Sequence, residues 1–357
     1  MKFTLPDEYR LLDDKTIIDR IKKKKIELGE KLLILGHHYQ RIEIIELSDV
    51  IGDSFRLSRE AAENQKARYI VFCGVNFMVE SAATLCRSDQ VVLHPDTDAG
   101  CPMADMADIF DVEKAWNQIV DISSGKKIIP ITYINSDSEV KAFCGKNGGC
   151  VCTSSNTPVI FDWALNRADK IFFLPDEHLG RNTANKKGIP KEDVILWDPS
   201  LENGGNTKKS IEKSKVILWN GYCHVHTFFT LEHIKNARSK FPGGIIIVHP
   251  ECKEEIVKSS DYDGSTGFIV RFVEDALPGS TVIIGTEINL IGRLAKEHPD
   301  KKIIPLARSI CPNMWKVSLN DLLFTLDNIG KVNVIKLKEN IREYAKIALR
   351  KMLEITA

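Results

Sequence analysis

Groups able to carry protons gather in a few short stretches of this chain. They are Gly36-His-His-Tyr-Gln40, Thr132-Tyr-Ile-Asn135, Gly221-Tyr-Cys-His-Val-His226 and His249-Pro-Glu-Cys252, with His94-Pro-Asp96 and Gly285-Thr-Glu287 beside them. Imidazole and phenol both donate and accept protons, and a nearby cation or metal lowers a phenol pKa. His37, Tyr39, His226 and His249 are therefore candidates for acid–base work. Glu251 is the carboxylate best suited to act as a base, because Pro250 fixes the turn that presents it.

Nine cysteines form the second chemical resource. The number is odd and the chain is long, which argues against a disulfide framework in a reducing compartment. Cys101, Cys223 and Cys311 stand in Gly100-Cys-Pro-Met, Tyr222-Cys-His-Val-His226 and Ile310-Cys-Pro-Asn-Met314. Two of them carry the Cys-Pro pair also found after cluster ligands in ferredoxins. Spacing alone does not select them, since Cys144, Cys150 and Cys152 form a tighter group around a Gly-Lys-Asn-Gly-Gly stretch that reads as a flexible loop. Cys73 and Cys86 read as core thiols, and Cys252 as a structural one beside Glu251.

Hydroxyl clusters supply a third pattern: Gly52-Asp-Ser54, Thr153-Ser-Ser-Asn156 and Gly264-Ser-Thr-Gly267 each precede a segment with helical apolar spacing. N-capping explains them, and helix N-termini of this kind also bind carboxylate or phosphate. Three such places fit a substrate with several anionic groups.

The elements that must position these groups are short apolar runs. They are Lys31–Leu35, Tyr69–Phe72, Val91–Leu93, Ile128–Ile131, Ile171–Leu174, Val194–Trp197, Val216–Trp219, Ile245–Val248, Thr281–Ile284 and Ile303–Leu306. Helical patterns separate them, so the reading is α/β with parallel sheets buried on both faces and polar groups at the strand ends. Lys31, Ile128 and Val216 each open a run that ends in a polar tip, which predicts three related α/β/α domains. Their limits are 1–112, 113–205 and 206–300, and a C-terminal strand and helices follow over 301–357. Ser318-Leu-Asn-Asp321 predicts a capping box opening a helix that stops at Gly330. A second helix with Leu337, Ile341, Ala345, Ala348 and Met352 on one face is expected to pack on the first or third domain.

Lysine plus arginine equals aspartate plus glutamate, 49 of each, so no global charge points to nucleic acid or an anionic membrane. The basic run Lys22–Lys25 lies behind Ile17, Ile18 and Ile21 and reads as a solvated helix face. No apolar stretch approaches the ~18–20 residues that cross a bilayer. The charged N-terminus lacks a signal-peptide core, and the expectation is a cytoplasmic protein.

Nine motifs in register, from about residue 30 to 320, resemble the quinolinate synthase family. They are His37-His-Tyr39-Gln, Asp49-Val-Ile-Gly-Asp-Ser54, Gly100-Cys-Pro-Met-Ala-Asp105, Tyr133-Ile-Asn135, Thr153-Ser-Ser-Asn156, Cys223-His-Val-His226, His249-Pro-Glu-Cys252, Gly264-Ser-Thr-Gly267 and Cys311-Pro-Asn-Met314. The resemblance implies a pseudo-threefold arrangement of the domains around one site and a [4Fe–4S] cluster on Cys101, Cys223 and Cys311. Three ligands leave one iron open as a Lewis acid. It further implies condensation of iminoaspartate with dihydroxyacetone phosphate to quinolinate, a step toward NAD, with L-aspartate oxidase as supplier of the imine. Tyr39, His37, Tyr133, His226 and Glu251 would move protons. His37, Asp53, Ser54, Tyr133, Asn135, Ser154, His249, Pro250, Glu251, Ser265 and Thr266 would hold substrate. His38 stands where many members carry Asn, and the Cys-x-x-Cys thiol switch of some bacterial members is not expected. Two other readings remain at this stage: an aconitase-like iron–sulfur hydro-lyase, and a zinc or redox-sensing protein using Cys144, Cys150 and Cys152.

Overall fold

A computed structural model describes residues 5–356. The ten apolar runs fall in strands, and three further short strands join them. The chain divides into two compact units. One comprises the described residues through Cys101 with Cys311–Lys338, and the other comprises Pro102–Ile310 with the segment from Glu339 onward.

The first unit holds one sheet in the order β2 (Val50–Gly52), β1 (Leu32–His37), β3 (Tyr69–Cys73), β4 (Val91–Leu93), all parallel. Every residue of β1 is buried, as its unbroken apolar run requires of a strand covered on both faces. The helix Asp14–Leu28 buries Ile17 and Ile21, while its lysines stay toward solvent and Lys25 pairs with Asp49 at 2.7 Å. Ser318 and Asp321 form the expected capping box, but the helix they open, Leu319–Asp327, ends before Gly330. It packs against Asp14–Leu28, where Arg20 reaches Asp327 at 2.6 Å.

The second unit holds two sheets. One runs β6 (Cys150–Cys152), β5 (Ile128–Tyr133), β7 (Lys170–Leu174), β9 (Val216–Trp219), β8 (Val194–Trp197), and the other runs β11 (Tyr262–Asp263), β10 (Ile245–Val248), β12 (Thr281–Gly285), β13 (Lys302–Pro305). All their pairings are parallel, and helices flank the sheets. The three sheets share one strand order, second-first-third-fourth, and the middle sheet has one extra strand inside it.

That extra strand corrects the sequence reading. Val216–Trp219 does not open the third repeat. It pairs with both β7 and β8, and the third repeat begins at Ile245. A buried apolar run carries no mark of which sheet it joins, so the error was one of partner rather than of element type. The C-terminal strand Lys302–Pro305 likewise belongs to the third sheet.

The last helix, Glu339–Ile355, buries Ala345, Ala348, Leu349 and Met352. It packs on the helix Ser138–Lys146 and on β6, so it covers the second sheet rather than the first or third. Glycine permits the approach, because a Cβ at Gly145 would overlap the Tyr344 carbonyl, and one at Gly149 the Pro130 carbonyl. The Gly-rich stretch is therefore a close-packed turn, with only Gly148 using a left-handed backbone (φ 75°). The reading of it as a flexible loop does not hold.

Candidate active site at the strand ends

Three side chains, one from its own turn and two from other strand ends of the second unit, converge on Glu251. The turn after β10 presents His249 and Glu251, the short helix His224–Thr227 after β9 presents His226, and Tyr133 closes β5. Glu251 is 2% exposed, and its Oε2 lies 2.7 Å from His226 Nδ1. His226 Nε2 lies 3.0 Å from Thr286 Oγ1, just past β12. The His249 ring stacks on that of His226 at 4.3 Å with 17° between planes, and the Tyr133 side chain also hydrogen-bonds Glu251.

Burial alone would push the Glu251 carboxyl up. The His226 and His249 rings and the hydrogen bonds from His226 and Tyr133 outweigh it and bring the pKa down to about 2. An ionised carboxylate only accepts, so Nδ1 of His226 carries the proton. On its other side the ring shares a hydrogen bond between Nε2 and the Thr286 hydroxyl at 3.0 Å. The result is a hydroxyl–imidazole–carboxylate chain, an arrangement of the kind that orients an imidazole for proton transfer.

Just past the ends of β5 and β6 lie buried polar atoms without partners. Asn135 Oδ1, Thr153 Oγ1 and Asn156 Nδ2 are buried and make no hydrogen bond, although Asn156 Oδ1 accepts from Thr153 N at 2.7 Å. Such atoms are costly unless a ligand meets them. Ser154 is half-buried between Thr153 and the helix Thr157–Leu165. Pro250 lends its carbonyl to Asn182. Ser265 caps the helix Thr266–Asp275 through Phe268 N at 3.2 Å, and Thr266 is its buried first residue.

In the first unit, His37 and Tyr39 sit at the end of β1, both buried, with rings edge to face at 4.8 Å. Tyr39 N donates to His37 Nδ1 at 3.2 Å, so Nε2 carries the hydrogen of the neutral ring. Asp53 caps the helix Ser54–Glu63 through Arg56 N at 2.9 Å, which puts Ser54 on its first turn. Each hydroxyl cluster follows the second strand of its repeat: β2, β6 and β11. Sequence reading missed those three strands because two or three residues are too short to show a period.

The nine cysteines form no disulfide, and accessibility sorts them. Cys101, Cys223 and Cys311 are half-buried, while the other six are buried. Cys101 and Cys311 belong to the first unit and Cys223 to the second, each in a loop beyond a strand end. Desolvation pushes the Cys73 and Cys150 thiols up to about 12, and raises Cys144, Cys152 and Cys252 as well. Metals bind thiolates, and burial disfavours the thiolate at these five positions. Among the described residues, the ligand atoms that close within 4.8 Å of one another are those of Cys223, His226 and Glu251, and not those of Cys144, Cys150 and Cys152.

Thr286 and Asp176 were not singled out from sequence. Thr286 lies in a tip that was noted, Gly285-Thr-Glu287, but a lone threonine signals nothing without its histidine. Asp176 follows Leu174-Pro175 at the end of β7, is fully buried and caps the helix Glu177–Lys186 through Leu179 N at 2.7 Å. Burial, and then the Glu251 charge, hold its carboxyl well above the usual range.

Comparison with known proteins agrees with this chemistry. The family model described as Quinolinate synthetase A protein matches residues 18–354. The curated relatives include quinolinate synthases of Bacillus mycoides (strain KBAB4) and Bacillus cereus (strain Q1). Each is 46% identical over 358 residues, spanning 98% of this chain and 96% of the relative. With its strand-end residues and its length both accounted for, the chain belongs to the quinolinate synthase family, enzymes of NAD biosynthesis.

Proposed function

We propose that this chain condenses iminoaspartate with dihydroxyacetone phosphate to form quinolinate, releasing phosphate and water, with a [4Fe–4S] cluster held by Cys101, Cys223 and Cys311. Supporting that ligand set, these are the three cysteines solvent reaches, and two of them carry Cys-Pro. A cluster with three protein ligands supplies an open iron that polarises a substrate oxygen or nitrogen. The observation that carries the reading is the buried Glu251 carboxylate, which His226 and Tyr133 share.

The chemistry needs carbon–carbon bond formation, ketose–aldose rearrangement, ring closure and loss of water, and each moves protons. Glu251 holds the proton on His226 Nδ1, which leaves Nε2 to take one through or beside Thr286. Tyr133 donates from its phenol, and His37 and Tyr39 serve the same purpose from β1. Asn135 and Ser154, with the unpaired atoms of Thr153 and Asn156, receive substrate oxygens. Asp53, Ser54, His249, Pro250, Ser265 and Thr266 complete the binding groups. Each sheet forms the core of one domain of a repeated type in this reading, and a cytoplasmic L-aspartate oxidase supplies the unstable imine.

An anaerobic assay with the two substrates tests the proposal by following quinolinate. The reading predicts quinolinate from the wild type and none after Cys223→Ser. Absence of product from iron-loaded wild type would sink it.

A further inference from the structure

Glu251 is held by its backbone as well as by its side chain. Asn182, on the helix Glu177–Lys186, is 3% exposed. Its Nδ2 donates to the carbonyls on both sides of Glu251, Pro250 O at 2.8 Å and Cys252 O at 2.8 Å. A primary amide has two hydrogens there and both are used, which also fixes the orientation of the group, since its oxygen would face two carbonyl oxygens. The turn is tied inward too. Glu251 N donates to His249 Nδ1 at 3.3 Å, Cys252 N to His249 O at 3.0 Å, and His249 N to Gly285 O at 3.2 Å.

The helix that carries Asn182 is seated for this reach. A Cβ at Gly180 would overlap Leu218 and Phe173, so only glycine lets the helix lie this close to β7 and β9. Asp176 caps the start of the same helix and faces Glu251 electrostatically.

We infer that Asn182 is a positioning residue for Glu251: by clamping the two peptide carbonyls that flank it, Asn182 sets where the carboxylate meets His226, without itself touching substrate. This rests on the proposed reading in which the Glu251–His226 pair moves the proton. A turn released on one side would let the carboxylate drift by a fraction of an ångström or more, and displacements near 1 Å cost about a hundredfold in rate.

A double-mutant cycle tests the clamp, with anaerobic rates of quinolinate formation for Asn182→Ala, Glu251→Gln and the double variant, each loaded with iron to the wild-type level. Asn182→Ala is expected to lower kcat by about ten- to a hundredfold with KM for both substrates changed less than about threefold. In the Glu251→Gln background it should cost nothing further, within about twofold, because the group it positions is gone. A merely structural role would lower the rate by the same factor in both backgrounds, and that additivity would overturn the inference. So would an Asn182→Ala enzyme with wild-type kcat while Glu251→Gln is inactive, an outcome that leaves the reading of Glu251 standing. Full turnover by Glu251→Gln would remove both. If Asn182→Ala does not accumulate folded, Asn182→Ser, which keeps one hydroxyl proton for one carbonyl, carries the same cycle.

Discussion

Replacing Glu251 by glutamine tests the ionised carboxylate directly, and its size follows from the site. Folding brings this carboxyl from an ordinary value to about 2. At about 1.4 kcal/mol per unit, a shift of about two units is about 3 kcal/mol in favour of the charged form. A carboxyl whose pKa falls on folding adds stability at every pH above its unfolded value. That contribution is lost as pH drops from about 4 toward 2. Glutamine keeps an oxygen for the His226 Nδ1 hydrogen, so 3 kcal/mol is the upper end of the loss. Two measurements follow. Denaturant unfolding of cluster-free protein near pH 7 should show Glu251→Gln less stable by about 2–3 kcal/mol, and near pH 2 the gap should close. Anaerobic turnover should fall about 10²–10⁴-fold, equivalent to about 3–5 kcal/mol of barrier. An unfolding gap of equal size at both pH values, or turnover within threefold of wild type, would refute the reasoning.

Three other changes test separate parts of the structure. Asp176→Asn should raise stability near neutral pH, because a carboxyl pushed up on folding costs stability increasingly as pH rises above its unfolded value of about 4. The amide still accepts from Leu179 N, so unfolding curves at two pH values would show a flatter dependence than wild type. In cluster-free, reduced protein an alkylating reagent should label Cys101, Cys223 and Cys311 well before the other six, as read by peptide mass spectrometry. Equal labelling of Cys144, Cys150 and Cys152 would revive the zinc reading. Gly145→Ala should lower the unfolding midpoint, at a cost of about 1–3 kcal/mol, because its methyl meets the Tyr344 carbonyl and lifts the last helix.

Strand runs such as Ile128–Tyr133 were legible because both faces are buried and the apolar residues are unbroken. What the run could not carry was partnership, and Val216–Trp219 went to the wrong sheet for that reason. The edge strands β2, β6 and β11 hid behind the hydroxyl clusters that follow them. Of the site, His226, His249, Glu251 and Tyr133 were found by their place after strands. Thr286, Asp176 and Asn182 were not, because their meaning lies in a partner distant in sequence. Gly145 and Gly149 misled in the opposite direction, since composition cannot distinguish a glycine that frees the chain from one that lets two backbones touch.

The shared strand order explains why the cysteine spacing was uninformative. Cys101 and Cys311 each lie a few residues past the fourth strand of a repeat, β4 and β13, and each is followed by proline. In the middle repeat the fourth strand, β8, leads to no cysteine. The inserted β9 lies beside it, and the tip of β9 delivers Cys223 and then His226. The insertion thus adds a thiol and an imidazole without displacing the first-strand tips, which carry His37, Tyr133, and His249 with Glu251. By pairing, β9 takes the place beside the third strand that β4 and β13 hold, but it comes fifth along the chain in its sheet, so the interval between the cysteines is uneven. Each sheet thus has one accessible cysteine in a loop beyond one of its strands.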